Sequence, residues 1–424
     1  MRVYKKQFKN GLRLITVPIR NSLTSTVLVM VEAGSKYEKK SENGISHFLE
    51  HMCFKGTSKR PKALDISREF DSIGAEHNAF TWLEFTGYHA KARSRHTKKL
   101  VELVSDLYLN PLFPEQEIEK EKGVIIQEIN MYEDHPSRNV WKLFYKLLYG
   151  NQPAGRTVLG DRKVVLGAKK KDFLDYRRKH YLASSTIVVV AGDVNRKEAE
   201  KWVKESFSSI ATGQKSKKLN VDDRQKSPQV VTRRKKTDQA HLVLGFRAYS
   251  VKNKKLPAAQ VMSAILGGGK SSRLFQRLRE DMGACYYVRS WGGEYTDHGY
   301  LAIHAGVDSK RLQEVIQAIL DEIRRIKTFP VTPTELSTAK ESIVGSLVMD
   351  LESSNDIAEF FGAQEILKRE IETPNEVERK IRAVTDRQVV GVARDIFRNN
   401  TLNLAVIGNI SERAGKKLKA SLKL

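Results

Sequence analysis

Two kinds of hydrophobic pattern alternate along this chain. Short runs of β-branched and apolar residues, such as Ser25–Val31 and 241–246, have the length and content of strands. Between them lie stretches in which apolar residues recur every three or four positions. One runs through Leu100, Leu103, Val104 and Leu107, another through Leu312, Val315, Ile316 and Ile319. That spacing predicts amphipathic helices. The two kinds recur in the same order in each half. Thr86-Gly87-Tyr88-His89-Ala90 before the first helix is echoed by His298-Gly299-Tyr300-Leu301-Ala302 before the second. Phe113-Pro114-Glu115 and Val331-Thr332-Pro333-Thr334-Glu335 each open a further helix, and each half closes on a strand followed by Gly, 186–192 and 402–408. Counterparts stay about 210 to 220 residues apart.

A constant offset of that size reads as one α/β unit duplicated. The expected organisation is an N-terminal domain over 1–210, a polar linker over 211–228 rich in Lys, Asp, Gln and Ser, and a homologous C-terminal domain over 229–424. The alternation in 85–92 predicts an antiparallel-rich sheet with one face covered by helices. The fold class is therefore α+β: two tandem homologous α/β-sandwich domains.

Charge changes this picture little. Lys and Arg number 74 against 50 Asp and Glu, a formal net charge of +24. The basic residues are spread through both halves. The densest runs, 169–171, 177–179 and 233–236, are short and lack the interleaved aromatics that stack nucleic-acid bases. No nucleic-acid partner is expected. Two cysteines, Cys53 and Cys285, make no disulfide framework and fit a reducing compartment. The first ten residues are polar and basic, unlike a signal peptide, and no apolar run approaches a membrane span. No membrane partner and a cytoplasmic location are expected.

The chemistry is concentrated in His47-Phe48-Leu49-Glu50-His51. Histidines at i and i+4 share a helix face, so both imidazoles reach one zinc. Glu50 points to the same side, beside the metal yet free to act on its water. This is the inverted form of the H-E-x-x-H metalloprotease motif. A catalytic zinc needs a third protein ligand. Glu121 and Glu128, seven residues apart on one helical stretch, share a face. One of them would bind the metal and the other would orient a ligand. Glu128 stands among Val124, Ile125, Ile126 and Ile129, which predicts a buried neighbourhood.

With these residues the chain resembles the pitrilysin/insulinase (M16) family of zinc peptidases, in the branch of mitochondrial processing peptidase and its bacterial relatives. The likeness covers essentially the whole chain. It includes Phe54-Lys55-Gly56-Thr57, Asn78-Ala79-Phe80-Thr81 and 131–136. In that family the ligand Glu lies 77 residues beyond the second His, which is Glu128, and a supporting Glu lies seven residues earlier, Glu121. The resemblance implies one zinc per chain, held by His47, His51 and Glu128, with Glu50 as general base. It also implies that Asn78 and Ala79 hold substrate backbone from an edge strand. The family's Arg and Tyr, seven apart, fall on Arg279 and Tyr286, where they would contact the substrate and its reacting carbonyl. Peptides or unfolded polypeptide segments would be hydrolysed in a chamber enclosed by two such bowls. This chain supplies one bowl, so a homodimer is expected, with Arg279 and Tyr286 of one copy completing the site of the other.

Shifting the metal residues by 215 or 218 lands on Met262, Ile265, Leu266, Ala339 and Ser346, so the second half reads as an inactive copy. Two rival classes stay open: a non-catalytic scaffold of the same fold, whose relatives usually lack part of the metal set that is complete here, and a nucleic-acid-binding protein, suggested by charge alone. Gly267-Gly268-Gly269-Lys270-Ser271 is not a phosphate loop, because Ala264 stands where that motif needs Gly. His77, His89, His241, His298 and His304 read as packed or hydrogen-bonded histidines. No base is identifiable beside Cys285 to make it a nucleophile.

Overall fold

The computed structural model describes the chain from Met1 to Leu424, the side chain of Ser421 excepted. The first half carries strands β1 (Tyr4–Gln7), β2 (Arg13–Pro18), β3 (Thr24–Val31), β4 (Glu76–Thr81), β5 (Thr86–Arg93) and β6 (Thr186–Gly192). The main helices of this half are α1 (Ile45–Met52), α2 (Thr97–Leu109), α3 (Glu115–Asp134) and α4 (Pro136–Tyr149). In the second half run β7 (Gln229–Arg234), β8 (Gln239–Ala248), β9 (Cys285–Glu294), β10 (Gly299–Asp308) and β11 (Leu402–Gly408). Their helical companions are α5 (Leu256–Gly267), α6 (Leu312–Thr328), α7 (Pro333–Met349) and α8 (Ser354–Leu367).

One compact unit comprises Met1–Ile129, Arg156–Leu219 and Met349–Thr373. Its six strands lie in the order β1-β2-β6-β3-β5-β4, with β2 and β6 parallel and the remaining neighbours antiparallel. One face packs Val27, Val29 and Val31 against Phe48, Leu49 and Met52 of α1 and Leu100 and Val104 of α2. The other buries Leu28, Met30 and Val189 under Ile357, Ala358 and Phe361 of α8. Both faces are thus covered, not one as the alternation in 85–92 predicts. The reason lies in β3 and β6, which are apolar at nearly every position, the pattern of strands buried on two sides. A buried ionic cluster also ties α8 to the sheet. Arg13 bonds Glu365 of α8 at 2.9 Å and Glu32 at 2.8 Å.

The second unit comprises Asn130–Gly155, Asn220–Val348 and Pro374–Leu424. Its five strands run β7-β11-β8-β10-β9, with β7 and β11 parallel. The core on one face gathers α5, α6 and the strands through Val261, Leu266, Ile319, Ile323, Leu244 and Ile303. The duplication holds to the residue in the central ladders: Val31 pairs with Thr86, and Phe246 with Leu301, both 215 positions on.

The units do not follow the contiguous boundaries expected from sequence. Each takes a segment from the other half of the chain, 130–155 in one direction and 349–373 in the other. Local pattern cannot show this, because an apolar helix face fits any sheet that lacks a cover. The linker differs from expectation too. Residues 213–219 belong to the first unit, where Lys215 pairs with the buried Glu32 and Lys218 with the buried Glu84. A carboxylate taken out of water needs a cation, and the polar linker supplies two.

Candidate metal centre

Helix α1 is short, and its start is set by side chains rather than propensity. Gly44 stands at φ 105°, in the left-handed region, with its Cα packed so close to Gly160 that a Cβ would come within 2.7 Å of that residue's Cα. The buried Glu38 carboxylate takes the helix's first free donors: Gly44 N at 2.8 Å, Ser46 N at 2.9 Å, Ser46 Oγ at 2.5 Å and Asn43 Nδ2 at 2.9 Å. Burial pushes its pKa up to about 7 against the pull of these four donors. With Phe48, Leu49 and Met52 committed to the core, the helix leaves His47, Glu50 and His51 on its other side.

His47 Nε2 lies 3.6 Å from Glu128 Oε2, and His51 Nε2 lies 3.9 Å from the same atom. One donor atom from each of the three residues falls within 4.8 Å of the others. A tetrahedral zinc with ligand bonds of about 2.0–2.2 Å spaces its donors roughly 3.3–3.6 Å apart, and the two separations from Glu128, 3.6 and 3.9 Å, lie at or near that span. The second nitrogen of His51 is spoken for: Nδ1 donates to Glu121 Oε1 at 2.9 Å, which leaves Nε2, on the side of Glu128, as the atom that would take a metal. Glu121 is itself held by Lys55, at 2.6 Å from Oε2.

The electrostatics suit a cation. Burial, then the neighbouring His51 charge, pushes His47 down to about 3, so it is a neutral donor. Burial would lower His51 as well, but the Glu121 bond and the charges of Glu50, Glu121 and Glu128 outweigh it and raise the imidazole. Burial raises Glu128, with the His51 charge opposing. It also acts to raise Glu121, yet the bonds from His51 and Lys55 hold that carboxyl below its ordinary value. Three carboxylates and two imidazoles thus share a half-buried pocket, an arrangement that a divalent ion relieves. The buried environment predicted around Glu128 needs adjusting. Glu121 is the deeply buried carboxylate, while Val124 is 50% exposed and the Glu128 side chain 27% exposed. Helix α3 turns Ile125 and Ile129 inward and Val124 outward, so sequence neighbours do not share a face.

Glu50 sits next to this cradle. Burial raises its pKa, opposed by a bond from Thr81 and by the His51 charge. The Thr81 hydroxyl donates to Glu50 Oε2 at 2.5 Å. Thr81 closes the Asn78-Ala79-Phe80-Thr81 stretch, and no motif singles it out. The usable signal was periodicity: Thr81 lies two residues beyond Ala79, on the same face of β4. Asn78 and Ala79 are on β4, the edge strand of its sheet, hydrogen-bonded to β5 on one side only.

Arg279 and Tyr286 belong to the second unit. Arg279 lies in a π-helical stretch, Gln276–Asp281, and its Nη1 donates to the carbonyls of Cys285 at 2.9 Å and Tyr286 at 3.2 Å. Tyr286 is 61% exposed. The adjacent Tyr287 is engaged elsewhere. Its ring lies over Gly306, where a Cβ would meet it at 2.4 Å, and its hydroxyl is bonded by His241 Nδ1 at 2.8 Å and His304 Nε2 at 3.0 Å. Of the two tyrosines, Tyr286 presents its side chain to solvent. His77 stacks on Phe70 at 4.1 Å, and His298 bonds Asp297 at 2.8 Å, so both are occupied structurally. The second-unit counterparts of the metal ligands, Met262 and Leu266, are core residues, and Ala339 is buried beside them. Among the described residues only His47, His51 and Glu128 gather as a metal-binding group.

Fold and site define a duplicated α+β protein with a two-histidine, one-glutamate metal cradle in one unit and a copy without those groups in the other. Residues 14–162 match the family described as Insulinase (Peptidase family M16), and residues 168–343 the family described as Peptidase M16 inactive domain. A Bacillus subtilis protein named "Uncharacterized zinc protease YmxG" is 35% identical over 392 residues, 92% of this chain and 94% of its own. An "Uncharacterized zinc protease" of Rickettsia bellii is 34% identical over 405 residues, 95% of this chain and 96% of its own. The crystal structure of a protease from Helicobacter pylori shares the fold at a TM-score of 0.89 and 23% identity, covering 96% of this chain and 99% of that one. The chain belongs to peptidase family M16.

Proposed function

We propose that this protein is a zinc-dependent endopeptidase acting on peptides or unfolded polypeptide segments. The observation that carries the reading is the convergence of His47 Nε2, His51 Nε2 and Glu128 Oε2 beside Glu50, whose carboxylate is held by Thr81. His47, His51 and Glu128 would hold one zinc, which when bound supplies Lewis acidity toward a water and a carbonyl oxygen. Glu121 keeps His51 in the tautomer that offers Nε2. Glu50 takes the proton of the attacking water at its carboxylate and returns it to the leaving amine nitrogen. Burial raises its pKa, which makes its carboxylate a better acceptor of that proton. The free edge of β4, at Asn78 and Ala79, supports docking of an extended peptide by strand addition.

We further propose a homodimer that encloses the substrate, in which Arg279 and Tyr286 of one copy face the reacting carbonyl in the other. The exposed Tyr286 side chain and the Arg279 bonds that brace it support this role. Among the described residues no helix is long and apolar enough to cross a membrane, and we propose a cytoplasmic location. The test is zinc stoichiometry together with chelator-sensitive cleavage of an unstructured peptide library. Glu50→Gln should retain one zinc and lose cleavage; near wild-type cleavage by that variant refutes the role of Glu50. Mixing Glu50→Gln with Tyr286→Phe chains should restore part of the activity, and no recovery despite subunit exchange refutes the shared site.

A further inference from the structure

A general base is useful only if its carboxylate holds one orientation. The backbone of α1 places the Cα of Glu50, but three side-chain torsions separate that Cα from the oxygens. Among the described residues one hydrogen bond reaches this side chain, from the Thr81 hydroxyl to Oε2 at 2.5 Å. An ionised carboxylate only accepts, so Thr81 is the donor. Oε2 is thereby anchored, and Oε1, which no hydrogen bond holds, is left to take a water proton.

Thr81 is itself firmly mounted. It is the last β4 residue and pairs with Thr86 at the closed end of the β4–β5 hairpin. The next residue closes the turn, Trp82 N donating to Phe85 O at 2.8 Å. The hairpin tip is pinned by Ser35 N to Trp82 O at 3.3 Å and Lys36 N to Leu83 O at 2.8 Å. Beneath it Lys36 Nζ meets Glu84 Oε1 at 3.1 Å, with both side chains almost fully buried. The neighbouring Thr86 hydroxyl donates to Ala33 O at 2.8 Å. A donor carried on such a frame has little freedom to follow a wandering carboxylate, so the carboxylate adopts the donor's position.

We infer that Thr81 is a positioning residue for Glu50: its hydroxyl selects which carboxylate oxygen faces the reacting water. The inference rests on the peptidase reading above. It adds that the strand proposed to align the peptide backbone also aligns the base, so one rigid element sets both halves of the reacting geometry.

The test uses full-length, zinc-loaded protein: wild type, Glu50→Gln, Thr81→Val, which keeps shape but removes the donor, and Thr81→Ser, which keeps the donor. Thr81→Val should lower kcat about 10- to 100-fold with KM within about twofold, the scale of a misoriented catalytic group. Thr81→Ser should recover most of that loss. Both should bind zinc as the wild type does, and a crystal structure of Thr81→Val should show the Glu50 carboxylate displaced from its wild-type rotamer while that of Thr81→Ser does not. Wild-type kcat in Thr81→Val, equal losses in Val and Ser variants, or an unmoved Glu50 carboxylate overturns the inference. A zinc-loaded wild type that cleaves no peptide refutes the peptidase reading, and the Thr81 role falls with it. An active wild type with unaffected Thr81→Val refutes the Thr81 role alone.

Discussion

Removing the Glu121 carboxylate tests whether this residue tunes the metal centre through His51 without touching the ion. Glu121 Oε1 accepts the His51 Nδ1 proton at 2.9 Å, and its side chain is nearly out of solvent. Losing such an outer partner costs about 10- to 100-fold in metal affinity, or roughly 1.4–2.8 kcal/mol. Two substitutions divide that cost. Glu121→Gln keeps an acceptor for Nδ1–H but removes the charge, so zinc should bind about 3- to 10-fold more weakly, since a charge-assisted bond has roughly twice the strength of a neutral one. Glu121→Ala removes both and should reach the upper part of the range, about 30- to 100-fold. Lys55 loses its partner in either variant, but its side chain is a quarter exposed and can turn to water. Competition against a chromophoric chelator at fixed pH measures the affinities, and thermal unfolding of the metal-free proteins shows that each variant remains folded. A folded Glu121→Ala protein that binds zinc as tightly as wild type would mean that the His51–Glu121 contact is packing and no more.

His180 should make the fold acid-sensitive: it is 2% exposed, and burial holds its pKa down to about 4. The unfolded chain takes up that proton near pH 6.5, so the contribution is present above about 6.5 and is lost as pH falls toward 4, roughly 3 kcal/mol in all. Urea melts across that window should show a smaller acid loss for His180→Phe than for wild type; equal slopes would exclude His180 as the cause. Arg13→Met should destabilise the protein by about 3–5 kcal/mol, because Glu32 and Glu365 lose the cation buried between them. A drop in denaturation midpoint equivalent to less than about 1 kcal/mol would show that Lys5, Lys215 and Arg369, which also reach these carboxylates, suffice without it.

The metal cradle was legible because it is local. Three residues within one and a half helical turns share a face whatever surrounds them, and Glu121 and Glu128 share theirs for the same reason. The duplication was equally plain, since apolar periodicity survives when the residues themselves change, and the Val31–Thr86 and Phe246–Leu301 pairs keep the 215-residue offset. What the sequence alone could not decide were contacts between residues far apart in the chain. Nothing local tells Glu50 that its partner is Thr81, 31 residues on, or Arg13 that its partner is Glu365, 352 residues on. The exchanged segments belong to the same class. The uninterrupted apolar runs of β3 and β6 require a second cover, and only the tertiary structure names α8 as that cover. Hydrophobic burial is non-directional and accepts any apolar face of suitable size, so pattern determines which residues must be covered and topology determines what covers them.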